Sequence, residues 1–174
     1  MACTLTTGRK LPCKSAVGGL KTVYFADFGT LGATTIASGE LTAIAGTPDL
    51  FQFDIKGNSS LETAINSSRE NGTTFYETTL NLTLTFLEKA TQEELKLIAH
   101  ARPHVFVEDY NGNYFVVGLE HGAEVTGGSI VSGAAMGDLS GFTLTMVAQE
   151  TAPPYFVTSS VVTGNASAIQ ITPN

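Results

Sequence analysis

Residues 73–102 pair a long amphipathic strand with a short helix, and the rest of the chain must cover the face this pair leaves dry. From 74 to 86, Tyr76, Leu80, Leu82, Leu84 and Phe86 fall on one side, and Glu77, Thr79, Asn81, Thr83 and Thr85 on the other. Successive side chains of a strand point to opposite faces, so the spacing predicts a half-buried sheet strand with one wet face. Thr91 and Glu94 have the spacing of a capping box, in which hydroxyl and carboxylate each satisfy the other residue's N–H. Leu95, Ile98 and Ala99 then form one apolar stripe and Pro103 stops the helix, which is expected over about 91–102. The arrangement is a sheet with a helix laid on its dry face.

The remaining segments read mostly as further strands. Strand composition or alternation marks 21–28, 41–45, 50–56, 61–68, 104–109, 114–119, 123–126, 129–132 and 142–149. Asn-Gly pairs at Asn71-Gly72 and Asn111-Gly112 predict hairpin tips, the second as a type I′ turn. The stretch 142–149 repeats the pattern of 80–86, so the two are expected as neighbours in one sheet. Small residues fill two expected loops, 29–38 and 133–141. The fold class is therefore mainly β: an antiparallel β-sandwich or barrel with one flanking α-helix. An N-terminal arm (1–20), a single β domain (21–152) and a C-terminal tail (153–174) divide the chain. Pro153-Pro154 is expected to end the compact part, leaving β-prone pieces at 155–157 and 160–163 without a clear core role.

Charge is distributed unevenly. All nine Lys and Arg lie at or before Arg102, and the residues after it carry Glu108, Asp109, Glu120, Glu124, Asp138 and Glu150. Arg9, Lys10, Lys14 and Lys21 stand in an N-terminal segment with no acid. Adhesive nucleic-acid binding needs a basic face with interleaved aromatics, which this acidic chain lacks, so its relation to DNA is repulsive. The asymmetry instead suits end-to-end complementarity between copies. No apolar run approaches the roughly 20 residues that span a bilayer, so no membrane insertion is expected. The first residues lack the pattern of a secretory signal, which points to a cytosolic product with Cys3 and Cys13 reduced, a local bridge between them being the alternative. Sequons at Asn58, Asn66, Asn71, Asn81 and Asn165 then reflect a surface rich in Thr, Ser and Asn.

Catalytic constellations are missing from the sequence. His100 and His104 are four apart, but Pro103 breaks the helix between them, and His121 stands alone. Glu108 and Asp109 point to opposite faces of a strand, and Glu93-Glu94 sits in a helix first turn that favours anions. No nucleophile elbow is present, and Gly137–Gly141 lacks the Lys-Ser/Thr of a phosphate loop. No catalytic, cofactor-binding or metal-ligating residue is nominated, and no cofactor is expected. A noncatalytic β domain must still hide its edge strands or pair them with other copies. Wet faces of Thr, Ser and Asn, rather than Lys, favour a self-assembling structural protein.

Across roughly residues 50–150 the chain resembles the tail tube (major tail) proteins of tailed bacteriophages. The resemblance rests on the tip Arg69-Glu70-Asn71-Gly72, the long Thr/Leu strand, the capped helix and the hairpin through Tyr110-Asn111-Gly112-Asn113. It rests most on the ending in which small residues and Gly137-Asp138 precede the strand FTLTMVAQE. It implies a sandwich or barrel whose copies form stacked, hexameric rings around a channel for DNA, akin in fold to the tubes of contractile injection and type VI secretion machines. The implied partners are copies of itself and other tail proteins, with DNA passing non-specifically. The implied location is the virion, after assembly in the host cytoplasm. In that picture Glu77, Thr79, Asn81, Thr83 and Thr85 face the lumen, and Arg69, Glu70, Asn71, Gly72, Arg9, Lys10 and Lys14 lie at subunit interfaces. Two other readings stay open: a different virion β protein, such as a head decoration protein or adhesin-like module, and a small-ligand-binding β-barrel.

Overall fold

The computed structural model describes residues 7–9, 14–55 and 58–168. The chain forms β1 (Leu20–Ala26), β2 (Thr34–Ala37), β3 (Glu40–Ile44), β4 (Leu50–Asp54), β5 (Ser60–Ser68) and β6 (Thr73–Thr85). Helix α1 (Lys89–His100) follows, then β7 (His104–Asp109), β8 (Tyr114–Val117), β9 (Glu124–Val131) and β10 (Gly141–Glu150). The chain continues through β11 (Tyr155–Val157), α2 (Ser159–Thr163) and β12 (Ala166–Ala168). Eight strands build one sheet in the order β12-β4-β1-β7-β8-β11-β3-β2, and four build a second in the order β5-β6-β10-β9. Neighbours are antiparallel except β11 with β3 and β12 with β4. The result is a β-sandwich with a flanking helix, as expected.

Alternation explains the first core. Leu80, Leu82 and Leu84 of β6 and Phe142, Leu144 and Met146 of β10 face Val23, Phe25, Phe53, Val105 and Val107 of the larger sheet. Leu95 and Ile98 of α1 close that layer. Each fully buried side chain of this size contributes about 1.5–3 kcal/mol. The expected partnership of β6 and β10 is realised along their full length, from Thr85 opposite Gly141 to Tyr76 opposite Glu150. Gly141 permits this junction, because a Cβ there would run into the Leu84 carbonyl.

A second core lies on the opposite face of the larger sheet. Tyr24, Leu41, Leu50, Phe106 and Val116 pack there against Val157, Val161 and Val162. β1 and β7 are therefore covered on both faces, which is why they read as near-continuous apolar runs.

Several expectations are corrected. Residues 155–168 are built into the sheet and its second core, so the compact part does not end at Pro153-Pro154. Residues 159–163 are a second helix, because a helical turn seats Val161 and Val162 side by side in that core. The capping box does not form: α1 starts at Lys89 after Glu88, no side chain caps it, and Thr91 is buried inside the first turn. Part of the expected loop 29–38 pairs with β3 as β2. The stretches around Gly127-Gly128 are one strand, β9, with a register shift opposite Thr145 and Met146. The β7–β8 turn is not type I′, since only Gly112 among its residues has positive φ. The Asp109 carboxylate instead accepts the Asn111 and Asn113 N–H groups, both at 2.8 Å. Phe86 leaves the dry face: its backbone turns to φ 71 and its ring is 81% exposed. Cys3, Cys13 and Lys10 lie outside the described residues.

Candidate assembly surface

The outer face of the four-stranded sheet gathers the residues expected to line a lumen. Register places Glu77, Thr79, Asn81 and Thr83 of β6 opposite Gln149, Val147, Thr145 and Thr143 of β10. Across β5, Glu62 stands opposite Thr79 and Ser60 opposite Asn81. Glu77, Thr79 and Thr83 are half-buried, and Asn81 and Thr85 are exposed. None of these four strands contains a Lys or Arg.

Hydrogen bonds lay this face flat. Gln149 Nε2 donates to Glu77 Oε2 at 2.8 Å, and Thr145 Oγ1 donates to Asn81 Oδ1 at 2.9 Å. Ser129 and Thr143 hydroxyls meet at 2.6 Å, and Thr83 Oγ1 donates to the Asn58 carbonyl at 3.1 Å. Polar groups bound to one another across strands leave few free donors for a passing phosphate. The sheet's two edge strands, β5 and β9, have no outer neighbour among the described residues.

The two ends of this sheet differ. β5 and β10 run up, β6 and β9 run down. The upper end holds the β5–β6 tip at Arg69-Glu70-Asn71-Gly72 and the start of β9. The tip turns on Gly72 (φ 62), and Asn71 N–H donates to Ser68 Oγ at 3.3 Å, leaving Arg69 and Glu70 exposed. The β8–β9 connection lies at this end too, with Glu120, His121 and Glu150. Ala123 N–H donates to the Pro103 carbonyl, which sets the start of β7 beside the start of β9. β7 therefore ends at the lower end, and so does its hairpin with β8. Val17 N–H donates to Asn111 Oδ1 at 2.9 Å and Asn111 Nδ2 returns a bond to the Val17 carbonyl at 2.7 Å. This pins the N-terminal arm to the lower end, with Lys14 exposed three residues earlier. Arg9 is exposed farther along the arm. The expected interface residues whose place is fixed thus separate into the tip at one end and Lys14 at the other. Lys21 Nζ meets Glu108 Oε1 at 2.7 Å, the one ion pair among the described residues. That contact raises the Lys21 pKa and uses up one of the arm-side charges internally.

His104 is buried, with Nδ1 2.7 Å from the Gly118 carbonyl and Nε2 accepting the Gly29 N–H at 3.0 Å. Both ring nitrogens are occupied, so His104 is no metal ligand, and burial holds its pKa below the ordinary value. Glu120, His121 and Glu150 bring one ligand-type atom each within 4.8 Å of one another. The Glu150 carboxylate accepts the Glu120 and His121 N–H groups at 3.0–3.2 Å, which clamps the β8–β9 loop to the end of β10. No helix among the described residues is long and apolar enough to cross a membrane.

Sequence reasoning did not find the exposed apolar residues of this sheet, Ile65, Phe75 and Ile130, or of its connections, Phe86, Leu87 and Met136. Met136, standing with Leu139 in a loop of mostly small residues, was the available signal; Phe86 was hidden by an alternation that placed it on the dry face. In comparisons with known proteins, no family model and no curated protein matches the sequence.

Proposed function

We propose that this protein is a structural subunit of a phage tail tube, assembling into stacked, hexameric rings around a channel for DNA. The observation that carries the reading is the four-stranded sheet: an outer face without Lys or Arg, between two unpaired edges. In the ring, β9 of one copy meets β5 of the next, so that backbone groups left open in the monomer find partners. The outer faces join into a lumen wall of hydroxyls, amides and the carboxylates of Glu62, Glu77 and Glu124. Such a wall repels phosphates and releases no counterions, so DNA slides without sticking. The partners are copies of the chain and other tail proteins, the location is the virion, and no catalysis or cofactor is involved.

The test is to shift the lumen charge. Thr79→Lys with Thr83→Lys leaves the fold and the edges intact, and rings are expected to form as before. Tubes of the double variant are expected to retain short DNA in sedimentation at low salt, whereas wild-type tubes release it. Equal retention by both would remove these residues from the lumen.

A second reading draws on one observation. An open groove of about 690 Å³ runs between α1 and β9, lined by Leu95, Val125, Phe142 and Leu144. As a small-ligand site it would raise the melting temperature of the monomer when a hydrophobic ligand is added. In the ring reading a neighbour's β5 edge covers the same groove.

A further inference from the structure

His121 stands alone in the sequence, but the fold sets it beside two carboxylates. The β8–β9 connection closes on itself where Gly122 N–H donates to the Gly118 carbonyl at 3.2 Å. Both glycines have positive φ, 71 and 78, and a Cβ on either would strike backbone: that of Gly122 from Gly118, and the Arg102 carbonyl from Gly122. The turn is therefore tight, and Glu120 and His121 are its exposed side chains. Glu150, the half-buried last residue of β10, reaches the same turn. Its carboxylate accepts the Glu120 and His121 N–H groups at 3.0–3.2 Å, and Thr151 Oγ1 donates to Glu120 Oε2 at 3.2 Å. Hydrogen bonds of this kind orient metal-ligating carboxylates. Each carboxylate keeps lone pairs to spare, since its two oxygens offer about four acceptor sites.

One ligand-type atom from each of Glu120, His121 and Glu150 lies within 4.8 Å of the other two. Among the described residues no Lys or Arg pairs with either carboxylate, and the His121 ring has no hydrogen-bond partner. Two like charges thus stand close together without a cation to offset them. A separate feature adjoins them. A cavity of about 10 Å³, lined by Thr78, Gly118, Glu120, Glu150, Pro153 and Tyr155, has about the least room that holds one water molecule.

The geometry points to a metal site: Glu120, His121 and Glu150 bind one divalent transition-metal ion of the Zn2+ class. The donor set chooses the class, because imidazole suits zinc and its neighbours, whereas Mg2+ and Ca2+ take oxygen ligands. Zinc bonds to nitrogen and oxygen are about 2.0–2.2 Å long, so the exposed Glu120 and His121 side chains rotate inward to close on the ion. Water takes the fourth position, and the cavity beside the carboxylates has room for it. The ion ties the β8–β9 turn to the end of β10 and takes no part in catalysis. The site lies within one subunit, so it holds whether or not the chain forms tubes.

The experiment melts the full chain, first stripped with a chelator, in added ZnCl2 or MgCl2, and counts bound Zn2+ by calorimetry. Wild type is expected to bind one ion per subunit at this site. Its melting temperature is expected to rise by about 3 °C or more at roughly ten times the dissociation constant. MgCl2 at the same concentration is expected to leave it unchanged. His121→Ala and Glu120→Gln alter exposed side chains, so both are expected to melt like wild type without metal and to bind Zn2+ at least tenfold more weakly. The two substitutions are independent, so either variant that folds decides the question. No rise in wild type, or an equal rise with MgCl2, would overturn the proposal. A Zn2+ response that survives the substitutions would overturn it too, and would move the ion elsewhere on the chain, with Cys3 and Cys13 the alternative ligands.

Discussion

His104 concentrates the chemistry of a single residue into a stability switch. Its Nε2 accepts the Gly29 N–H, so the proton sits on Nδ1 and is donated to Gly118. Phe28 stacks on the ring at 5.0 Å, and the Arg102 guanidinium lies 4.3 Å from the centre of the Phe28 ring. Burial lowers the His104 pKa from its ordinary 6.5. The unfolded chain takes up a proton near that value and the folded one only at lower pH, so acid favours unfolding. Thermal melts are expected to show stability falling as pH drops below about 6.5, with a shallower fall in His104→Gln. Asp109 offers a second case. Its partial burial pushes the carboxyl up, but hydrogen bonds from Asn113 and Asn111 outweigh that and hold it below the usual range. Asp109→Ala is expected to cost about 1–2 kcal/mol in denaturant melts, since it orphans two turn N–H groups. At this scale the sequence was only partly readable. Asn111-Gly112 announced a turn, but its type depended on a carboxylate two residues back. Thr91 had the spacing of a cap and was spent on packing instead. Phe86 continued an alternation that its backbone abandons.

Elements were more legible where one face is dry and the other wet. β6 and β10 could be read and even paired, because their alternation survives over the whole strand. Leu82, buried between the sheets, is expected to cost about 2–5 kcal/mol on replacement by Ala, with the β6–β10 ladder intact by circular dichroism. β1 and β7, buried on both faces, could be recognised as strands but not placed, since a continuous apolar run has no preferred side. α2 could not be read at all. Its Ser-Ser-Val-Val-Thr sequence has strand propensity, and only the concave second core, waiting for two adjacent valines, makes it helical. Val162→Ala is therefore expected to destabilise the whole subunit by about 2 kcal/mol. Removing residues 159–174 is expected to expose the second core and leave no cooperative transition. A truncated chain melting like the full one would show that the C-terminal segment is dispensable.

At the scale of the molecule, the candidate surface is a matter of placement. The sequence supplied a strand face without cations, a basic arm and a charged tip, but nothing in it said that arm and tip occupy opposite ends of the sandwich. That separation follows from the sandwich, and in the proposed tube it would set arm against tip between stacked rings. Screening at high salt is expected to slow stacking, because the Debye length contracts from about 10 Å at 0.1 M to about 3 Å at 1 M. Replacing Arg69 and Glu70 together by Ala is expected to weaken assembly while the subunit stays folded. The central claim, that this chain exists to assemble into a channel, is met most directly by negative-stain electron microscopy of the concentrated wild-type protein. Rings of uniform diameter with a central hole, stacked into tubes, are expected. Monodisperse monomers or trimers at every concentration, with no tubes, would contradict it.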